Sequence, residues 1–232
     1  MGVKLTRTKK RNLLLSTIYR LNRLLPISVN SKFKLALNLE RIFNRIAHES
    51  SFKVYEDSDH PVRKYSINYI LSFIQKEYSV VDLGCKYGEI SFAISQQTKS
   101  VVGIEYDDVA IAQAKSKFRA HNLEYVCSDA IEYLKTNNNR KDMLILSHIL
   151  EHIDHPTDFL KAFAPYFKYI YIEVPDFDMS YLNYYRDYLD MNLIYSDSDH
   201  VSEFDREELN TLLKVTGLKV LKAEYRFGLM KI

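Results

Sequence analysis

The stretch Val80-Val81-Asp82-Leu83-Gly84-Cys85-Lys86-Tyr87-Gly88-Glu89-Ile90 constrains the fold of this chain most. Two β-branched residues run into Asp-Leu-Gly, a second glycine follows four positions on, and Ile90, Phe92, Ala93 and Ile94 open a helix-like apolar pattern. That order predicts a strand, a tight turn and a helix start. Glycine accepts positive φ and lets a ligand approach the backbone with no Cβ in the way. In open α/β sheets ligands lie over the carboxyl ends of the strands, so a nucleotide-like ligand is expected at this turn. A second buried-strand run, Val101-Val102-Gly103-Ile104-Glu105, ends in an acid, placed where a carboxylate can accept both hydroxyls of a ribose. The G-x-x-x-G spacing is not the G-x-G-x-x-G of dinucleotide enzymes, which argues against NAD.

Taken in order, Asp82-Leu83-Gly84-Cys85 with Gly88, then Gly103-Ile104-Glu105, then Ser128-Asp129-Ala130, resemble the motifs of class I S-adenosylmethionine (SAM)-dependent methyltransferases. The segment Ser147-His148-Ile149-Leu150-Glu151-His152 resembles the S-H-x-L-E-H of one large branch of that family. The resemblance covers residues 60–220 or so. It implies a Rossmann-like α/β sheet of about seven mostly parallel strands, flanked by helices. It also implies SAM as cofactor, with Asp82, Gly84, Cys85, Gly88, Glu105, Tyr106, Asp129, Ala130 and Ser147 around it. In the family an acid at the place of Asp129 bonds the adenine amino group; aspartate is equally a favoured helix N-cap. Where the family usually has glycine, this chain has Lys86.

At 232 residues the expected organisation is one domain with an extension. The extension is read as residues 1–55, the SAM-binding domain as 56–232, and an acceptor-side insertion as 176–200. Two cysteines, Cys85 and Cys127, make no disulfide framework; both read as small buried hydrophobes in a reducing, cytoplasmic setting. Charge is uneven. Residues 1–50 hold eleven Lys/Arg against two acids, a balance of +9, while the remainder carries −7. A mildly acidic body is a poor match for a nucleic-acid reader. Leu14, Ile18, Leu21 and Leu25 share a helical face with Arg20 and Arg23 between them, and Pro26 is expected to end that helix. Such a helix either packs on the domain or a second subunit, or lies peripherally on anionic membrane near a lipid-linked substrate. The arginines interrupt the apolar run, and no small-residue cleavage site follows, so a signal peptide is not the reading. A second helix is predicted over Phe33 to Ile46.

Further strands are predicted at Leu123–Cys127, Met143–Ser147 and Tyr169–Val174, with helices over Glu89–Gln97 and Asp107–His121. Phe177 to Tyr195 is a tyrosine-rich insertion, expected to cover an acceptor or to pack a helical cap. Asp205 with Glu208 predicts a capping box, and the tail has room for two short strands.

The candidate catalytic residues are His148, Glu151 and His152, just past the fourth strand, with His200 after the insertion. Histidine-x-x-Glu-His also matches an inverted zinc-protease pattern. Its place after a buried strand, with His155-Pro156 limiting any helix, argues against a protease. One remaining reading is acid–base: His148 or His152 takes the proton of an acceptor hydroxyl while Glu151 orients it. Another is a divalent metal. The segment is similar to the Glu-x-x-Glu-His of small-RNA 2′-O-methyltransferases and some quinone O-methyltransferases, with His148 in place of the first Glu, Glu151 and His152 matching and His200 standing where a later ligand comes; three imidazoles and a carboxylate would favour zinc, iron or manganese over magnesium. A third is structural, the side chains bonding backbone at the strand end. Methyl transfer to an amine needs little base and transfer to a hydroxyl needs more, so the cluster favours O-methylation. The expected acceptor is a small sugar-like or lipid-linked molecule, and the resemblance suggests surface-polysaccharide or small-metabolite modification. The rivals are a non-catalytic methyltransferase-fold partner protein and a metal-assisted RNA methyltransferase.

Overall fold

Alternating β-branched runs and amphipathic helices form one seven-stranded sheet in a computed structural model, which describes residues 12–55, 59–137, 140–191, 195–197 and 199–232. The first eleven residues of the basic extension expected over residues 1–55 lie outside the described residues. Compactness divides the chain into Met1–Asn44 and Arg45–Ile232. In the first unit, helix α1 (Leu13–Asn22) is capped by the Asn12 side chain, and none of its residues is buried. It stops four residues before Pro26, because the backbone closes into the turn Arg23 N–H to Arg20 O and Leu24 N–H to Leu21 O. Helix α2 (Val29–Val54) runs through the division and outlasts its expected end at Ile46. In the second unit its Phe52 ring stacks on His60 at 4.4 Å. His60 then caps α3 (Pro61–Leu71), whose proline sits in the first turn, where a missing N–H costs nothing.

The sheet follows as β1 (Ser79–Leu83), α4 (Glu89–Ser95), β2 (Ser100–Glu105), α5 (Asp108–Lys117), β3 (Leu123–Cys127), α6 (Ala130–Thr136) and β4 (Lys141–Ser147). After these come α7 (Pro156–Phe163), β5 (Phe167–Pro175), α8 (Leu182–Tyr188), α9 (Arg206–Val215), β6 (Glu224–Arg226) and β7 (Leu229–Lys231). Strand order is β3-β2-β1-β4-β5-β7-β6, parallel except where β7 pairs antiparallel with β5 and β6. The order reverses between β1 and β4, the place where doubly wound sheets open a crevice for ligand.

Side chains alternate across the sheet, as a strand's two-residue period requires. From β4, Leu144 and Leu146 enter one core with Leu160 and Phe163 of α7 and Leu209, Leu212 and Leu213 of α9. Met143 and Ile145 point the other way, to Tyr69 and Ile70 of α3 and Ile94 of α4. Each fully buried leucine or isoleucine contributes roughly 1.5–3 kcal/mol, so the leucine-rich layer on one face and the mixed aliphatic and aromatic layer on the other fix which strand ends converge. Helix α9 begins with the capping box of Asp205 and Glu208. The final hairpin turns at Phe227 and Gly228, with φ of 58° and 75°, the paired positive values of a two-residue hairpin turn. Of the two cysteines expected to be buried, Cys85 is; Cys127 is exposed, because β3 is an edge strand and Cys127 is its last residue. Among the described residues no helix is long and apolar enough to cross a membrane.

Candidate active site

Three residues in five take left-handed backbone at the β1–α4 turn: Gly84 (φ 71°), Lys86 (φ 47°) and Gly88 (φ 84°). Lys86, where the family prefers glycine, adopts the glycine-like conformation with an exposed side chain, at a strain of roughly 1–2 kcal/mol. Its N–H donates to Glu105 Oε2 at 3.3 Å, tying the turn to the end of β2. Tyr106 and Asp107 donate their N–H groups to Glu105 Oε1 at 2.8 and 3.1 Å. Three bonds on a carboxylate with four lone-pair sites leave one for a ligand hydroxyl. Glu105 is 8% exposed, so an unfilled site on it is costly and a ribose hydroxyl fits there. Tyr106 beside it is exposed, with an open ring face.

Asp82 does not face outward. It is buried, and accepts from Ser91 Oγ at 2.5 Å, joining β1 to α4. Burial pushes its carboxyl up to about 7, the charge of Glu105 adds to this, and the Ser91 bonds oppose it. Burial likewise drives the Cys85 thiol far up, leaving it an apolar filler. Close approach at the glycines is made by this chain's own side chains. A Cβ on Gly84 would lie 2.2 Å from Ile149 Cδ1, and one on Gly88 would lie 2.3 Å from the Tyr125 hydroxyl. Asp129 Oδ1 accepts from Ile131 and Glu132 N–H at 2.9 and 3.1 Å, so the cap is made and Oδ2 takes neither bond. Ala130 starts α6 and Ser147 ends β4, both half-buried at the carboxyl edge of the sheet.

The second group of residues meets the first through Ile149. His148, at φ 57°, turns the chain out of β4, and its N–H donates to Glu173 O at 2.8 Å. Its ring lies between two buried carboxylates, with Nδ1 2.9 Å from Glu151 Oε1 and Nε2 3.4 Å from Glu173 Oε1. Burial opposes charge on the ring, but the bonds to Glu151 and Glu173 and their charges outweigh it and carry His148 up to about 10. The side chain is 44% exposed, so solvent screens part of the effect; the direction follows from two flanking carboxylates. A histidine held as imidazolium anchors the site rather than accepting a proton. Glu173 also accepts from the Tyr171 hydroxyl at 2.7 Å and pairs with Lys231 Nζ at 3.4 Å. Burial works against its charge, yet His148, Lys231 and Tyr171 pull it down to about 2.

His152 and His200 come together edge to face, with ring centroids 4.9 Å apart. The backbone brings them there: Val201 and Ser202 N–H donate to Glu151 O at 2.8 and 3.2 Å, so the segment after the insertion is laced to the end of β4. His152 Nδ1 bonds Asp199 O at 3.2 Å, and His200 Nδ1 bonds Glu203 Oε1 at 2.9 Å. All four expected catalytic residues therefore share one corner. Glu173, Lys231, Asp199 and Glu203 complete it and were not anticipated, although an acid inside the apolar run Ile172-Glu173-Val174 is a signal in itself. The insertion tyrosines Tyr181, Tyr184, Tyr185 and Tyr188 are exposed, and Tyr184 donates to Asp178 at 2.8 Å.

The sequence matches a family described as a methyltransferase domain over residues 38–223. It is similar to ribosomal protein L11 methyltransferases of Staphylococcus saprophyticus (27% identical over 96 residues) and Staphylococcus epidermidis (30% over 100 residues). Each alignment spans 41% of this chain and only 31% of the relative. The structure resembles a SAM-dependent methyltransferase of Archaeoglobus fulgidus, at 25% identity and TM-score 0.55, covering 71% of both chains. It shares its fold with the cyclopropane synthase MmaA2 of Mycobacterium tuberculosis (13% identity, TM-score 0.54, 73% of this chain and 66% of that one). By its strand order and by a family match that spans most of its length, the chain belongs to the class I SAM-dependent methyltransferases.

Proposed function

We propose that this protein transfers a methyl group from SAM to a hydroxyl of a small acceptor, sugar-like or lipid-linked. The observation that carries the reading is the contact of Ile149 with Gly84, which sets the His/Glu corner directly against the glycine turn. Bound SAM supplies a methyl carbon on a sulfonium, already activated for displacement. Glu105 would hold its ribose through the lone-pair site left open, Asp129 Oδ2 and the Tyr106 ring would meet the adenine, and the turn from Gly84 to Gly88 would lie along the remainder. The acceptor hydroxyl would enter beside His152 and His200, which with Glu151 orient it in line with the methyl carbon and draw off its proton. The acceptor oxygen would take the methyl group in exchange for its proton, which His152 or His200 would receive and pass to solvent. The exposed apolar residues of α1, with Arg20 in the helix and Arg23 at its C-cap, support a peripheral seat on anionic membrane, where a cytoplasmic enzyme would meet a lipid-linked acceptor.

Calorimetry with SAM and its demethylated product tests the reading. Micromolar binding of both is expected, and Glu105→Ala should abolish it with the circular dichroism spectrum unchanged. If the wild-type protein binds neither, the reading fails and a non-catalytic partner role takes its place.

A further inference from the structure

The geometry points to a divalent transition-metal site formed by Glu151, His152 and His200. A carboxylate oxygen of Glu151 and one ring nitrogen from each histidine lie within 4.8 Å of one another. Three separate features prepare these residues for a cation. His152 Nδ1 faces a backbone carbonyl, Asp199 O, which can only accept, so Nδ1 must carry the hydrogen and Nε2 of the neutral ring keeps its lone pair. His200 Nδ1 faces the Glu203 carboxylate, again an acceptor, which fixes the same tautomer. A histidine whose second nitrogen donates to a carboxylate or carbonyl is the usual arrangement of a metal ligand. The third feature is Glu151. Its side chain is fully buried, Oε1 is taken by His148, and Oε2 has no hydrogen-bond partner. An orphaned buried carboxylate oxygen is expensive, and a cation would satisfy it.

Two imidazoles and one carboxylate suit zinc, iron, manganese or cobalt rather than magnesium or calcium. Metal–ligand distances of about 2.1 Å bring neighbouring ligand atoms to about 3 Å, so small side-chain rotations close the site on the ion. The His152 side chain is 34% exposed, against 8% for His200 and 0% for Glu151, so the open coordination positions face solvent on the His152 side. The use of the ion rests on the methyl-transfer reading: with the ion bound, the two imidazoles are ligands and no longer bases, and an acceptor hydroxyl at an open position would instead lose its proton to solvent more readily before the oxygen takes the methyl group. Binding of the ion does not depend on that reading.

The test uses the untagged chain, stripped with a chelator and titrated with Zn²⁺, Mn²⁺ or Co²⁺ alone. One equivalent should bind, and Co²⁺ should give visible d–d absorption. His152→Ala and His200→Ala should each weaken binding at least tenfold, and Glu203→Gln, which among the three ligands touches His200 although it also accepts from Ser196, about 10–100-fold. His121→Ala, at an exposed histidine before β3, should change nothing. The demethylated product of SAM is titrated on the same samples. Product binding with no metal binding overturns the metal site and leaves the methyltransferase reading standing; metal binding without product binding does the reverse. Metal binding that survives both alanine variants also overturns the site.

Discussion

Replacing Lys231 by methionine tests the buried charge cluster at the carboxyl edge of the sheet. The Lys231 side chain is fully buried, its Nζ 3.4 Å from Glu173 Oε2 and 5.7 Å from the centre of the Tyr65 ring. At that separation and an effective dielectric constant of about 20, the gross attraction is about 5 kcal/mol. Methionine fills the same space, so the loss is mainly that of the partner charge. Removing one member of a buried pair costs about 3–5 kcal/mol, and because His148 and Tyr171 still hold Glu173 the lower figure, about 3 kcal/mol, is expected. Tryptophan is absent, so equilibrium urea unfolding is followed by far-ultraviolet circular dichroism. The double variant Lys231→Met/Glu173→Gln should recover more than half of the loss, since a neutral amide still accepts from Tyr171. The pH profile gives an independent reading. Glu173 has its folded pKa pulled below the ordinary glutamate value, so its contribution is present above about pH 4.5 and fades as pH falls toward about 2. That acid-side loss should be smaller in Lys231→Met. A single variant within 1 kcal/mol of wild type (a margin of about that size), or a strictly additive double variant, would refute the coupling.

Two further outcomes follow from the glycine turn. Gly84→Ala meets a left-handed backbone worth about 1–2 kcal/mol of strain and a 2.2 Å contact with Ile149 Cδ1. Ile149→Val deletes that atom at about 0.5–1.5 kcal/mol, so the pair should be less destabilised than the sum by about 1 kcal/mol; simple addition in urea unfolding would count against the contact. Asp82 has its folded pKa raised, so wild-type stability should decline as pH rises from about 4 to about 7 on account of this group. Asp82→Asn should remove that slope and be about 1–2 kcal/mol more stable than wild type at pH 8, with no such gain at pH 4. Equal differences at the two pH values would show that the carboxylate carries no burial penalty.

Strands β1, β2 and β3 lie where the sequence placed them; in the central pair the runs Val80-Val81 and Val101-Val102 are β-forming, with Val80, Val81 and Val101 buried and Val102 half-buried. The capping box of Asp205 was equally legible, being local in sequence, and the room left for two short strands in the tail is taken by β6 and β7, whose pairing as a hairpin was not read. Helix ends were less so. α5 stops at Lys117 rather than His121, because Phe118 turns to extended backbone with no Gly or Pro to announce it. At the site, His148, Glu151 and His152 form a pattern readable in six residues. Glu173 and Lys231 are joined only by the β5–β7 pairing, and Glu203 becomes a neighbour of His200 through side-chain geometry. The first relation has no period or spacing in the chain, so pattern reading passes over it; the second is a three-residue spacing that lies in no recognised motif.

The position of Lys231 also bears on how the protein folds. Glu173 and His148 belong to the parallel part of the sheet, while the lysine arrives on β7, after α8, α9 and β6 have been laid down. A partly assembled domain with β1 to β5 in place would hold Glu173 without its full complement of countercharge, a state penalised by several kcal/mol. Docking of the hairpin, a long-range and therefore slow event, discharges that penalty in one step. The buried lysine thus acts as a latch on cooperativity: species lacking β7 stay sparsely populated, and folding should run all-or-none across the whole sheet.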